Sequence, residues 1–279
     1  MSIQSLRIPS LALCGLLLPN LALAADDSPW LGAPGTLNVE GRYIFQTADE
    51  LFAGDVEMPL PGDLELSTYS LRLDYTVNER VAVDLRVGHA DSDFVAPGDF
   101  DGIIDTRIGV NYVAHDEFTS ASGAPTLTLR AVGIIAGDYD TGSIEAIGDG
   151  ASGFEVAALV GKQYTNGLAL YGELGYRNRA DGVPSDTFVD VDAWYAFNST
   201  FSAGVGYFVN RADGDLDIGG PGFSPPRFPE VDEDIELIRV GASINLAPNL
   251  QLGFDAARVV DGANTPKSDV YSLSLGYTL

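Results

Sequence analysis

From Thr36 to the last residue, apolar side chains recur at every second position, and charged or small ones fill the places between. The final stretch shows it most plainly: Tyr271, Leu273, Leu275, Tyr277 and Leu279 alternate with Ser272, Ser274, Gly276 and Thr278. A period of two belongs to the β-strand, whose successive side chains point to opposite faces. One wet face and one apolar face, repeated about twelve times with the same polarity, describe strands standing between water and lipid. The expected fold is therefore all-β, a transmembrane antiparallel up-and-down β-barrel of about 12 strands.

The N-terminus sets the compartment. Arg7 precedes an apolar core from Leu11 to Leu23, broken only by Gly15, Pro19 and Asn20, and Ala22-Leu23-Ala24 supplies the small residues that a signal peptidase reads. Residues 1–24 thus read as a cleaved signal peptide, 25–35 as a short periplasmic segment and 36–279 as the barrel. The core is too short and too interrupted for a membrane anchor. Cys14 is the single cysteine and lies inside the leader, with Leu13 where a lipoprotein signal carries a small residue. The mature chain is left without a thiol or disulfide. An exported chain with no long apolar helix can enter a membrane only as a closed barrel. The net charge of −25 excludes nucleic acid as a partner, because a phosphate polymer needs a basic face.

The alternation predicts strands over Leu37–Thr47, Thr68–Val77, Arg80–His89, Ile103–Ala114, Thr126–Ala136 and Gly153–Tyr164. It continues over Gly167–Arg177, Thr187–Phe197, Thr200–Asn210, Ile235–Leu246, Asn249–Arg258 and Asp269–Leu279. Asn78-Glu79, Thr165-Asn166, Asn198-Ser199 and Pro248 are residues that bend hairpins tightly. Longer connections fall between them: Asp49–Asp63, Asp91–Asp101, Gly137–Ser152, Arg179–Asp186, Arg211–Asp234 and Val259–Lys267. Only His115–Ala124 is long where a short turn is due. Alternating short and long connections place the short ones, and with an even strand count both termini, on the periplasmic side. A soluble β-sandwich also alternates, but it has no systematic loop asymmetry and does not explain charges repeating along the small-residue face.

With these residues in view, the chain resembles Gram-negative outer-membrane β-barrel proteins of the porin-like, small-channel kind. Tyr271, Leu273, Leu275, Tyr277 and the terminal Leu279 stand where that family carries its C-terminal assembly signal, although Phe or Trp is usual at the end. Small barrels for hydrocarbon uptake, and those beside aromatic-degradation pathways, look similar in size and strand texture. The residues do not select a subfamily. The resemblance implies an outer-membrane location, contact with lipid and lipopolysaccharide, and insertion by the barrel-assembly machinery.

Assigning the apolar face to lipid sends Glu40, Arg42, Arg72, Asp74, Asp84, Arg86, Asp105, Arg107 and Arg130 inward. Glu155, Glu173, Arg177, Asp190, Asp192, Arg239 and Asp255 follow on later strands. Opposite signs two apart, as in Arg72/Asp74 and Asp84/Arg86, suggest pairing between neighbouring strands. These side chains either line a pore or fill and stiffen the lumen. Tyr43, Phe45, Tyr75, Tyr112, Tyr164, Tyr176, Tyr195, Phe197, Phe201 and Tyr277 would form aromatic girdles, while Tyr171, Trp194 and Phe208 point inward. Gly204 and Gly206 read as lumen space.

The acidic excess crowds the long connections: Asp49, Glu50, Asp55, Glu57 and Asp63; then Asp91, Asp93, Asp99 and Asp101; then Glu230, Asp232, Glu233 and Asp234. Asp213, Asp215 and Asp217 have the spacing that opens a calcium loop, but Ile218 replaces the required Gly and Ser224 the closing Glu, so no metal site is expected. His89 and His115 lack the His–Ser arrangement of barrel lipid hydrolases, and no catalytic residue or cofactor is expected.

The leading expectation is a narrow passive channel for small solutes, weakly cation-preferring through its acidic mouth. Strands ~4.8 Å apart and tilted ~40° give twelve of them a backbone diameter of roughly 25 Å, narrowed to about 13 Å by inward side chains. The alternatives are a closed structural or surface-interaction barrel with acidic extracellular loops and, more distantly, a barrel lipid hydrolase.

Overall fold

The computed structural model describes residues 28–95 and 100–279; the expected signal peptide lies outside them. The elements are β1 (Leu37–Ala53), β2 (Val56–Asn78), β3 (Val81–Asp93), β4 (Phe100–Ile103), β5 (Thr106–His115), β6 (Thr126–Ile135) and β7 (Gly153–Gln163). They continue with β8 (Leu168–Arg179), β9 (Asp186–Ala196), β10 (Phe201–Ala212), a short 3-10 turn Pro225–Glu230, β11 (Asp234–Ala247), β12 (Leu250–Ala263) and β13 (Asp269–Thr278). Sequence neighbours pair antiparallel, except that β4 and β5 both pair with β3, and β1 pairs with β13, so the sheet closes on itself. β4 and β5 are one wall strand interrupted at Ile104-Asp105. β4 pairs with the far half of β3 (His89↔Ile103) and β5 with the near half (Arg86↔Arg107). The wall is therefore a closed antiparallel barrel of twelve strands.

The turns at Asn78-Glu79, Thr165-Asn166, Asn198-Ser199 and Pro248 lie at one end. Asn78 Oδ1 accepts from the Arg80 N–H, Asn166 Oδ1 from that of Leu168, and Asn198 Oδ1 from those of Thr200 and Phe201. These are the local side-chain bonds for which turns select Asn. Gly167 supplies the left-handed backbone (φ +92) of its turn. Both ends of the wall meet there too: the Leu279 N–H donates to the Leu37 carbonyl at 2.8 Å.

Two expectations need correction. The connection Asp49–Asp63 is not a loop: β1 and β2 continue as a hairpin to the two-residue turn Gly54-Asp55, register-shifted at Ala48/Glu50. Its acidic side chains face water, while Leu51, Phe52 and Leu64 are buried beneath it. Pro59 and Pro61 are tolerated because this part of β2 pairs only with β1, leaving an edge that needs no N–H donor. In the same way β3 runs on to Asp93 and β4 occupies Phe100–Ile103, within the expected loop Asp91–Asp101.

The second correction concerns the lumen charges. Arg72 lies opposite Arg86, and Asp74 opposite Asp84. The order Arg-x-Asp on β2 is mirrored as Asp-x-Arg on β3, and an antiparallel hairpin brings mirrored residues face to face. Opposite signs meet across neighbouring strands at Glu40/Arg72. Elsewhere they meet along one strand, as Arg42 Nε–Glu40 and Arg72 Nε–Asp74 (both 3.0 Å). They also meet across an intervening strand, as Arg107–Glu155 (2.8 Å) and Arg130–Asp84 (3.5 Å).

Because β13 is paired on both sides, it is the seam of the wall. Deleting Gly276–Leu279 removes partners of Asn38, Val39, Glu40, Leu250 and Gln251, and exposes sheet edges in lipid at several kcal/mol per unpaired backbone group. The truncated chain should yield little heat-modifiable, membrane-extracted protein, whereas Leu279→Phe should assemble normally. Gel-shift analysis of membrane fractions checks both.

Candidate functional site

The barrel interior is built in three tiers. At the tight-turn end, residues 28–36 cross the lumen rather than hang outside it. Gly35 N–H donates to the Thr76 carbonyl on β2, while the Pro29 carbonyl accepts from Thr128 Oγ1 (2.6 Å) on β6. Trp30 reaches β8, half-way round the barrel from β1, and packs edge-on against Tyr171 with ring centroids 5.5 Å apart. Tyr171, Ala169 and Trp194 form a buried cluster around it. The indole N–H of Trp30 donates to Glu117 Oε1 (3.0 Å), which also accepts from the Gln163 N–H. This explains the length of the His115–Ala124 connection, which carries Glu117 inward. Inward glycines make the room: a Cβ on Gly161 would stand 2.8 Å from the Trp30 ring, and one on Gly241 2.8 Å from that of Trp194. Gly204 and Gly206 likewise give their space to Trp194 and to the Arg239–Asp192 pair, and are not open lumen.

The second tier is a belt of charge. Arg239 Nη2 donates to both carboxylate oxygens of Asp192 (2.9 Å) and to those of Asp190 (3.1 and 3.2 Å). Arg107–Glu155 and Arg130–Asp84 lie on the neighbouring wall, and Asp255 accepts from Ser272 Oγ at 3.0 Å. Arg86 and Glu173 complete the set within the strands β3 and β8. Contacts that skip strands need side chains on the concave side of the sheet, and these residues share that side. Arg177 grips Asp186 through Nε and Nη2, and Arg179 bonds Asp105 and the Ala151 carbonyl.

The third tier is a cavity of about 490 Å³ at the long-loop end, walled by β1, β2, β3 and β8–β11 and roofed by residues 142–149 and 228–233. Two hubs hold the roof. Tyr139 donates to Asp105 Oδ1 (2.6 Å) and accepts from the Gly150 N–H; burial and that carboxylate push its phenol well above the usual range. Asn264, buried and left-handed (φ +54), accepts from the N–H groups of Gly54 and Ile218 and donates to Asp217 Oδ1 and the Asp232 carbonyl. One amide thus ties the β1–β2 hairpin, the 213–233 connection and the β12–β13 connection together. Thr265 Oγ1 donates to Glu233 Oε1 at 2.7 Å, and burial raises the Glu233 carboxyl to about 7. Burial also raises Asp149 and Asp232.

Several other sequence candidates lie in the roof or on the outside of the barrel. Asp217 is bound to Asn264, and among the described residues no His, Cys, Asp and Glu cluster is arranged to hold a metal ion. His89 is exposed beside Asp101 (3.5 Å), and His115 bonds the Pro125 carbonyl and Ser122. The outer surface carries Tyr43 against Tyr69 (4.9 Å) and Tyr195 and Phe201 flanking Phe197. Phe45 is only half exposed. Lys267 pairs with both Glu50 and Glu57, so part of the acidic rim is neutralised.

A family model matches residues 53–275, under the description "Putative MetA-pathway of phenol degradation". The chain belongs to that family. No curated relative matches it. An outer membrane channel from Pseudomonas putida F1 superposes with a TM-score of 0.73 at 16% identity, over 91% of this chain and 99% of that one. The NanC porin gives 0.52 at 10% identity, over 87% and 100%. The translocator domain of the autotransporter NalP from Neisseria meningitidis gives 0.52 at 12%, over 88% and 89%. At such identities these likenesses concern the fold, which is that of outer-membrane barrels.

Sequence reasoning missed Trp30, Glu117, Tyr139 and Asn264. Three of them lie in connections and Trp30 precedes the wall, so no strand periodicity marks their direction. The left-handed tolerance of Asn and its place two residues before Pro266 were the available signal for Asn264.

Arg239 carries the sharpest electrostatic test. Arg239→Met removes the guanidinium shared by two lumen carboxylates and should cost about 3–5 kcal/mol. Adding Asp190→Asn and Asp192→Asn should restore much of it, as measured by denaturant unfolding in lipid vesicles.

Proposed function

We propose that this protein is an outer-membrane channel through which small solutes pass passively. The observation that carries the reading is the partly open cavity of about 490 Å³ at the long-loop end of the barrel. The lumen residues are its lining, from Glu40 and Arg42 through Arg239 and Asp255. Trp30 and the infolded loops make it narrow. In this reading the signal peptide is removed, the long loops face outward, the tight turns and both termini face the periplasm, and the C-terminal residues guide assembly. No chemistry on the solute is assigned. The structural neighbours support the reading by fold.

The pore lining is near balance in sign, so ionic preference falls to the mouth. Asp49, Asp55, Asp63, Asp91, Asp93 and Asp101 are exposed there, and favour cations. The segment crossing the tight-turn end is what favours a closed structural barrel instead, and conductance decides between the two.

Two outcomes are expected. A cysteine introduced at Asp55 should react with an impermeant thiol label on intact cells, and one at Asn166 should not; the reverse pattern would invert the barrel. In planar bilayers the protein should show a small conductance with modest cation preference, fading at high salt as exposed charge is screened. Neutralising Asp49, Asp55, Asp63 and Asp91 together should weaken that preference, and Arg107→Ala should raise conductance. Anion preference would overturn the role of the mouth, and no conductance in either form would overturn the channel.

A further inference from the structure

We propose that the outer wall over β7–β10 holds one phospholipid of the periplasmic leaflet, with an acyl chain in a groove over Gly172 and Ala193 and the phosphate at Lys162. The leaflet rests on the orientation proposed above; the groove and its ligand are read from the wall itself.

The groove comes from the register of the lipid-facing side chains. Two rows cross these strands: Val160, Gly172, Val191 and Tyr207 form one, and Lys162, Leu170, Ala193 and Val205 the other. Strand alternation turns both rows outward, and Val160, Leu170, Val191, Val205 and Tyr207 are exposed. Each row carries one small residue, and the register makes Gly172 and Ala193 diagonal neighbours. Two adjacent gaps among larger side chains leave an open apolar groove of about 630 Å³. A chain lying in a groove meets wall atoms on several sides, and gains dispersion contact that a flat wall does not offer. Asp192 borders the groove only from behind, because its carboxylate is turned into the lumen and bound to Arg239 at 2.9 Å.

The cation selects the occupant. Lys162 is the single basic residue lining the groove, and it stands three residues before the turn Thr165-Asn166, at the end where the wall leaves the bilayer. Its ammonium donates to the Gly123 carbonyl and lies 3.5 Å from Glu117 Oε2. An ammonium has three N–H donors, so one is left for a partner outside the wall. The Glu117 side chain is buried and its other oxygen accepts from the Trp30 indole and the Gln163 N–H. It therefore anchors the lysine and presents no carboxylate to the lipid. A lysine at the bilayer edge beside an apolar groove matches a phosphate joined to a hydrocarbon chain, which is the chemistry of a phospholipid.

The test is native mass spectrometry of the full mature protein in detergent, titrated with phosphatidylglycerol and with diacylglycerol carrying the same chains. One phosphatidylglycerol per barrel should be retained saturably, about tenfold more tightly than diacylglycerol, the margin of one charge-assisted hydrogen bond. Ala193→Phe keeps the wall apolar but fills the groove, and should abolish retention of both lipids. Lys162→Met should bring phosphatidylglycerol down to the level of diacylglycerol. Equal retention of the two lipids by the unmodified protein, or unchanged retention in Ala193→Phe, would overturn the site. So would a lipid-free dimer that Ala193→Phe separates, since the groove then belongs to a second copy of the barrel. Should Lys162→Met fail to assemble, the two lipids and Ala193→Phe decide. Planar-bilayer conductance is read on the same preparation: conduction without lipid retention removes the site and keeps the channel, and lipid retention without conduction removes the channel and keeps the site.

Discussion

The closed ring of backbone hydrogen bonds is the interaction on which everything else here depends. In hydrocarbon an unpaired N–H or C=O costs several kcal/mol, so the sheet can stop only by meeting its own first strand. β13 makes that meeting, pairing with β1 from Thr278 to Asp269. Closure then divides the side chains into two populations without further choice. Those outside must suit lipid, as Val83, Leu129, Leu174, Val205 and Leu273 do. Those inside share one confined space and have to satisfy one another.

The interior meets that demand differently along its length. Near the tight turns it is filled by aromatic rings set into glycine notches; at mid-height by arginines shared between carboxylates; near the long loops by walls of mixed apolar and charged side chains under a hydrogen-bonded roof. In the middle tier the pairing is not a matter of neighbours. Register places Arg72 against Arg86, and relief comes from Asp74 on the same strand and Asp84 reaching Arg130 two strands on. A belt whose charges answer to several strands at once resists the loss of any one arginine less well than it resists replacement of a whole cluster.

The wall was legible because its rule is local and repetitive. Tyr271 to Leu279 state the period, and Asn78, Asn166 and Asn198 state where it reverses. Legibility failed where the solvent changes. On the outer part of β1 and β2 no lipid demands an apolar face, so Asp49, Glu57 and Asp63 look like loop although the backbone is strand. The inward charges could be listed from alternation, but not their partners, since partnership depends on register and on curvature that brings Arg107 to Glu155. The roof was the least legible. A single asparagine amide at Asn264 joins three connections far apart in sequence, and no pattern within any of them announces the other two.

The position of Trp30 has a consequence for how the barrel comes into being. The indole rests against Tyr171, and the preceding Pro29 is held by Thr128, so the seat for these two residues is made from the middle of the chain. Until β6, β7 and β8 have found one another there is nothing for that segment to rest on. Contacts so distant in sequence form late, because the closure of the intervening chain has to come first. The nascent barrel therefore passes through a stage that is hollow where the finished one is filled, and Pro29 and Trp30 are set in place only after that part of the wall has formed.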